Sequence, residues 1–256
     1  MSESMRAPSG HGAVELMLVR HGESLGNVAA SAAGVSGAEV IEVPARDADV
    51  DLSPLGYEQA SALGDSFNRL PSSRCPDVVW CSPYARARRT AEIIVGTAGW
   101  TVPLLVDERL RDRELGILDM LTTKGVELRL PEEARRRRWL GKFYYRPPGG
   151  ESWTDVVLRL RSFLSDLERL SGGERVLVVG HDAVILLFRY LLEGLSEKEL
   201  LDLAGTTTIL NASLTRYVRV DGHGPWMLES FNVADHLTEQ GVTLTEHGSD
   251  ADVRPR

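Results

Sequence analysis

An α/β fold is predicted here, with a mostly parallel sheet, an antiparallel edge strand and helices on both faces. Three observations carry it. Apolar runs of strand length alternate along the chain with segments of helical periodicity. The early runs are apolar at nearly every position, as strands covered on both faces are. The last two flank a glycine turn, Asp221-Gly222-His223-Gly224, as an antiparallel pair does.

The first strand is Val14–Val19 (VELMLV). Ser53 and Pro54 then open a helix, serine as N-cap and proline at the first helical position. Val78–Cys81 is the second strand, and Ser82-Pro83 repeats the same start signal, which places Arg86 about one turn inside the next helix. Val102–Val106 is the third strand. Ser152 and Asp155 make a capping-box-like start to a long amphipathic helix. Its apolar face is Trp153, Val156, Val157, Leu160, Phe163, Leu164, Leu167 and Leu170, and Gly172-Gly173 ends it. Arg175–Val179 is the fourth strand and Val184–Leu192 a buried helix, and residues 207–220 and 226–231 form the antiparallel pair. One domain over residues 13–236 is expected, with flexible polar tails at 1–12 and 237–256.

Composition narrows the function. The chain has 256 residues, 43% apolar and 26% charged, which suits a globular enzyme-sized domain. Its net charge of −8 disfavours a nucleic-acid partner. Cys75 and Cys81 are too few for a disulfide scaffold or a cysteine-rich zinc module, and Cys81 reads as a small buried hydrophobe. No apolar run approaches the ~20 residues of a membrane span. The opening MSESMRAPSGHG lacks the apolar stretch of a signal peptide. A cytoplasmic protein without a membrane partner is expected.

Parallel sheets hold ligands at the carboxyl ends of their strands. There the first strand delivers Arg20-His21-Gly22-Glu23-Ser24, with Asn27 beyond, and the fourth delivers Gly180-His181-Asp182. Helical side chains lean toward the N-terminus, so Arg86 returns to the same edge, whereas Arg88 and Arg89 read as a solvated face. Two arginines and two histidines suit a tetrahedral oxyanion, and they would stabilise the oxygens of a phosphoryl group in transfer. A metal centre on His21, His181 and Asp182 is the rival reading. Arg20 and Arg86 would repel its cation, and no H-x-H or H-E-x-x-H spacing occurs, so no metal is expected.

Leu18–Ser24 (LVRHGES) with Asn27 resembles the signature of the histidine phosphatase superfamily, also called phosphoglycerate mutase-like. Asp51-Leu52-Ser53 with Leu55-Gly56 and Gln59-Ala60, then Ser82-Pro83 with Arg86-Ala87 and Thr90-Ala91, resemble its second and third elements. Leu110–Gly116 (LRDRELG), Gly150-Glu151-Ser152 and Val179-Gly180-His181 complete the order. The resemblance implies that His21 is a nucleophile forming phosphohistidine without metal or other cofactor. It implies that Arg20, Arg86 and His181 hold the phosphoryl oxygens, with Asn27 near them. Arg20 would also keep His21 neutral. A carboxylic acid protonates the leaving alkoxide and then activates water. Asp112, four residues before Gly116, stands where relatives carry glutamate; Glu114 and Asp182 are its rivals.

The superfamily holds phosphatases and mutases. Mutases usually carry Gly-Leu-Asn-Lys where this chain reads Met120-Leu121-Thr122-Thr123, with Lys124 displaced by one residue. Tyr144–Ser152 (YYRPPGGES) instead resembles fructose-2,6-bisphosphatase domains. Hydrolysis of a small phosphorylated metabolite is therefore expected, with a cofactor-dependent mutase or a phospho-ligand binding protein as the alternatives. Residues 120–150 are expected to form a lid, in which Lys142 and Arg146 contact substrate and Arg135–Arg138 form solvated pairs with Glu132 and Glu133. A strand near the C-terminus leaves a homodimer open.

Overall fold

The structure is a computed structural model that describes residues 12–170 and 172–247. Its strands are β1 (Glu15–Arg20), β2 (Val78–Cys81), β3 (Leu104–Val106), β4 (Arg175–Gly180), β5 (Leu214–Val218) and β6 (Met227–Val233). They form one sheet in the order β3-β2-β4-β1-β5-β6. β1 to β4 run parallel, and β5 and β6 add an antiparallel edge. The helices are α1 (Leu25–Ser36), α2 (Pro54–Asn68), α3 (Ala85–Thr97), α4 (Thr123–Arg129), α5 (Pro131–Tyr144), α6 (Trp153–Leu170), α7 (Asp182–Glu193), α8 (Glu197–Thr206) and α9 (Asp235–Glu239).

Strand side chains alternate between faces, so β1 and β4 feed two cores. Met17, Val19, Leu177 and Val179 pack with Leu63 and Phe67 of α2 and with Ala87, Ala91 and Ile94 of α3. Leu16, Leu18, Val176 and Val178 pack with Val156, Leu160 and Phe163 of α6 and with Val184–Phe188 of α7. Burying each large apolar side chain contributes about 1.5–3 kcal/mol, so both faces bind the two central strands firmly. This double cover is why their sequences are apolar at nearly every position between their ends. Cys81 sits in the first of these cores, and burial pushes its thiol to about 11.

The expected caps hold at two starts. Ser53 Oγ accepts from Gly56 N at 3.1 Å, and Ser152 and Asp155 exchange hydrogen bonds of 2.8 and 3.2 Å. The third start differs. Helix α3 begins at Ala85, and Ser82 Oγ accepts from Tyr84 N at 3.2 Å while also meeting His181. Ser82 therefore turns the chain at the strand end and does not cap the helix. The strand expected over 207–220 is confined to Leu214–Val218. Residues before it turn back instead, with Ala212 at φ 54°, so that Ala212 N reaches the Arg20 carbonyl at 3.0 Å. Helix α1 was not signalled by an apolar stripe; a Ser24/Asn27 capping box starts it.

A tail was expected to begin at Leu237, yet residues 237–247 pack onto the domain. Leu237 is fully buried, and Gln59 Nε2 donates to Thr243 O at 3.0 Å and Thr245 Oγ1 at 2.9 Å. Polar residues here bind buried polar partners, which apolar periodicity cannot reveal. The tails at 1–11 and 248–256 lie outside the described residues. Among the described residues no helix is long and apolar enough to cross a membrane.

Candidate active site

The register Arg20↔Gly180 brings the ends of β1 and β4 level. His21 and His181 follow at the same height, with ring centroids 5.2 Å apart and planes at 63°. His21 N donates to Gly180 O at 2.9 Å, extending the ladder to the histidine itself. Gly22 beside it must be glycine, because a Cβ there would lie 2.5 Å from the Gly56 carbonyl oxygen. His21 Nδ1 is 2.7 Å from the Gly22 carbonyl oxygen. A carbonyl only accepts, so Nδ1 carries the proton and Nε2 keeps its lone pair.

Both imidazoles are held neutral. Burial comes first in lowering His21 well below the usual histidine range, followed by Arg86, His181 and Arg20. Burial likewise lowers His181, with Arg86, Arg159 and Arg20 behind it. Arg20 therefore contributes to a neutral His21, but desolvation and Arg86 contribute more.

Arg20 is buried. Its guanidinium donates to the carbonyls of Ile209 and, at 3.3 Å, His247, while its Nε is buried with no hydrogen-bond partner among the described residues. Arg86 is buried as well. Its Nη1 donates to Asp47 O at 2.8 Å and Oδ1 at 3.1 Å, and its Nη2 to Asp47 Oδ2 at 3.1 Å and Asp112 Oδ2 at 3.0 Å. Desolvation would depress the Arg86 pKa, but Asp47 and Asp112 outweigh it and raise the value. Asp112 Oδ2 also lies 3.3 Å from His181 Nδ1, without hydrogen-bond alignment. Glu114, the rival acid, accepts from the Tyr84 hydroxyl at 2.6 Å. Asp182 is the first residue of α7, where its carboxylate accepts from Ala183 N at 2.7 Å.

A cavity of about 290 Å³ opens over these groups, lined among others by Arg20, His21, Asn27, Arg86, Asp112 and Lys142. Asn27 Oδ1 accepts from Ser24 N at 3.1 Å and Asn211 Nδ2 at 3.4 Å, so it serves the helix cap and the cavity wall together. Lys142 is buried with its ammonium 4.9 Å from the Trp153 ring. His181 is fully buried against His21 and is not part of the cavity lining. Arg146 is a sequence-predicted site residue that the fold leaves out. It does not line the cavity; its exposed guanidinium pairs with Asp155 at the start of α6, with Nε at 2.7 Å from Oδ2. A helix-start carboxylate nine positions away took the cation. Sequence reasoning also missed Asp47, Ser82, Asn211 and His247. Only Ser82, directly after a strand, carried a positional signal. Among the described residues no group of three His, Cys, Asp or Glu side chains is arranged to hold a metal ion.

The profile of the histidine phosphatase superfamily (branch 1) matches residues 16–233. The chain belongs to this superfamily. As a histidine phosphatase superfamily member it is 34% identical over 175 residues to a 6-phosphofructo-2-kinase/fructose-2,6-bisphosphatase of Caenorhabditis elegans. That match covers 66% of this chain but spans only 32% of the bifunctional relative. It is 31% identical over 208 residues to a 2,3-bisphosphoglycerate-dependent phosphoglycerate mutase of Methylobacterium radiotolerans, covering 78% of this chain and 91% of the mutase. Among solved structures it resembles a mycobacterial glucosyl-3-phosphoglycerate phosphatase, with 27% identity, a TM-score of 0.64 and coverage of 86% and 99%.

Proposed function

We propose that this member of the superfamily is a metal-independent phosphomonoester hydrolase that works through a phosphohistidine at His21. The observation that carries the reading is the His21 imidazole: Nδ1–H fixed on the Gly22 carbonyl, Nε2 unprotonated, and Arg20, Arg86 and His181 around it. Nε2 attacks phosphorus, the N–P bond forming as the P–O bond to the leaving alcohol breaks. Arg20, Arg86 and His181 hold the phosphoryl oxygens, where charge-assisted donors stabilise the transition state. The Asp112 carboxyl gives its proton to the departing alkoxide. The resulting carboxylate then takes a proton from water, whose oxygen attacks the phosphohistidine and releases phosphate and neutral His21.

Contact with both Arg86 and the His181 ring supports Asp112 as the acid. Glu114 is engaged by Tyr84 and Asp182 by a helix start. The named activities of relatives, on a sugar bisphosphate and on glycerate phosphates, support a small phosphorylated metabolite as substrate. The free thiols Cys75 and Cys81 suit a reducing, cytoplasmic setting. Mutase activity is the second reading, favoured by the mutase relative that this chain matches over nine-tenths of its length.

The test is a panel of phosphate esters assayed under a chelator, with and without 2,3-bisphosphoglycerate. Phosphate release independent of both is expected, together with an acid-labile phosphoenzyme that His21→Ala no longer forms. Phosphoryl exchange only with the bisphosphate would make the protein a mutase. No turnover on any ester would leave a phospho-ligand binding protein.

A further inference from the structure

We infer that Asp47 is an internal stand-in for the substrate's phosphoryl oxygens, holding Arg86 before substrate binds and yielding it when phosphate enters. The inference rests on the phosphoryl-transfer reading above and adds to it a residue that sets how tightly oxyanions bind.

A donor count raises the question. The two terminal nitrogens of a guanidinium carry four N–H bonds. In Arg86 all four have acceptors: Asp47 O and Oδ1 on Nη1, Asp47 Oδ2 and Asp112 Oδ2 on Nη2. A phosphoryl group is bound by the same two-nitrogen fork, through two parallel hydrogen bonds. Asp47 already occupies the fork in that form, one carboxylate oxygen on each nitrogen. A phosphoryl dianion cannot share it with two carboxylates at hydrogen-bond distance, so one of them must leave.

Their surroundings decide which. Asp112 is fixed from several sides: Oδ1 accepts from Arg113 N at 2.8 Å, and its carbonyl accepts from Arg159 Nη2 at 3.0 Å. Asp47 opens a three-residue 3-10 turn, Asp47–Asp49, in the connection between α1 and α2, and no side-chain cap secures that turn. Its side chain is 36% exposed against 24% for Asp112. Water can take over the Asp47 carboxylate at small cost. Asp47 therefore presets the Arg86 fork before substrate arrives and competes with product phosphate for it afterwards.

The test measures binding of inorganic phosphate and orthovanadate to the full chain by calorimetry, so it does not depend on turnover. Wild type is compared with Asp47→Asn and Asp47→Ala, and with Asp49→Asn, which removes the same charge from a carboxylate paired with the exposed Arg46. Losing a partly exposed charged competitor should tighten phosphate about 10-fold in both Asp47 variants. KM for a phosphate ester should fall in parallel while kcat does not rise. Asp49→Asn should stay within about twofold of wild type. Unchanged or weaker phosphate binding in the Asp47 variants, with Tm preserved, overturns the inference and makes Asp47 a support for Arg86. Equal tightening by Asp49→Asn overturns it as a bulk charge effect. If wild type binds phosphate and turns over, the loss falls on Asp47 alone; if no form binds phosphate, the phosphoryl-transfer reading falls with it.

Discussion

The proposed phosphoryl cradle and the segment bearing the proposed acid meet at one cavity but are held in place differently. Arg20, His21 and His181 sit at the ends of paired central strands, at 2%, 3% and 0% exposure, where ladder hydrogen bonds fix the backbone. Residues 111–119 have no strand and only a short 3-10 turn. Side chains stitch that segment down instead. Arg113 Nε donates to Glu151 O at 2.7 Å, Arg159 donates to Asp112 O, and the Glu151 carboxylate accepts from Glu114 N at 3.2 Å. Gly116, at φ 54°, has no room for a Cβ, which would lie 2.2 Å from Pro148 O. In the proposed mechanism, geometry at phosphorus thus comes from the sheet, whereas protonation of the leaving group comes from an arginine-stitched loop. The first is costly to alter without unfolding the core. The second can change its substrate while the cradle stays the same.

Variants on the two sides should therefore fail differently. On the loop side, Asp112→Asn should lose about 10²–10⁴ in rate on an alkyl phosphate but far less on p-nitrophenyl phosphate, whose leaving group hardly needs a proton. Glu114→Gln and Asp182→Asn should show no such split. If one of them shows it and Asp112→Asn does not, the acid is that residue.

On the cradle side, Arg86→Ala should cost about 100- to 1,000-fold in kcat/KM, by nearly the same factor for both leaving groups. Arg89, paired with Glu92 on the surface, serves as the comparison, and Arg89→Ala should be nearly silent. Equal small effects at both positions would remove Arg86 from the cradle.

A smaller effect follows from the burial that keeps the cradle neutral. His21 and His181 titrate well below the ordinary histidine value, and burial brings His236 to about 4. Below about pH 6.5 the unfolded chain takes up protons at these positions while the folded chain does not. Their contribution is thus retained above pH 6.5 and lost as pH falls below it. Tm measured from pH 8 to 5 should decline on the acid side, and His181→Gln should make the decline shallower. A slope unchanged in the variant would mean that His181 takes up its proton in the fold.

The smallest effect is expected at Arg146, outside both regions. Arg146→Ala should leave kcat/KM within about twofold for any ester, since its exposed guanidinium pairs with Asp155 away from the cavity. A raised KM confined to substrates with a second anionic group would return Arg146 to the cavity.

Most of the cradle could be read in the sequence because its residues lie directly after strands with strong apolar signals. His21 and His181 needed only the two runs preceding them. Arg86 reaches the strand end although α3 starts at Ala85 and makes it the second helical residue rather than one a full turn inside, since helical side chains lean toward the N-terminus. Asp47, Asn211 and His247 were not readable. They reach the site from a loop, a turn and a polar terminal segment, where neither period 2 nor period 3.6 marks a residue. Arg146 was misplaced for a related reason: its neighbours in sequence, two tyrosines and two prolines, suggest a binding surface and say nothing of Asp155.

The carbonyl of His247 meets the guanidinium of Arg20 across 227 positions of sequence, and β1 finds its parallel partner only at Arg175–Gly180. Translation makes these partners at opposite times. A nascent chain can bury α2 and α3 against one another early, but β1 waits unpaired on its parallel side until β4 is synthesised. Arg20 gains its carbonyl ligands later still, from Ile209 and then from His247. A product interrupted before residue 247 therefore folds α2 and α3 together yet lacks a complete Arg20 site.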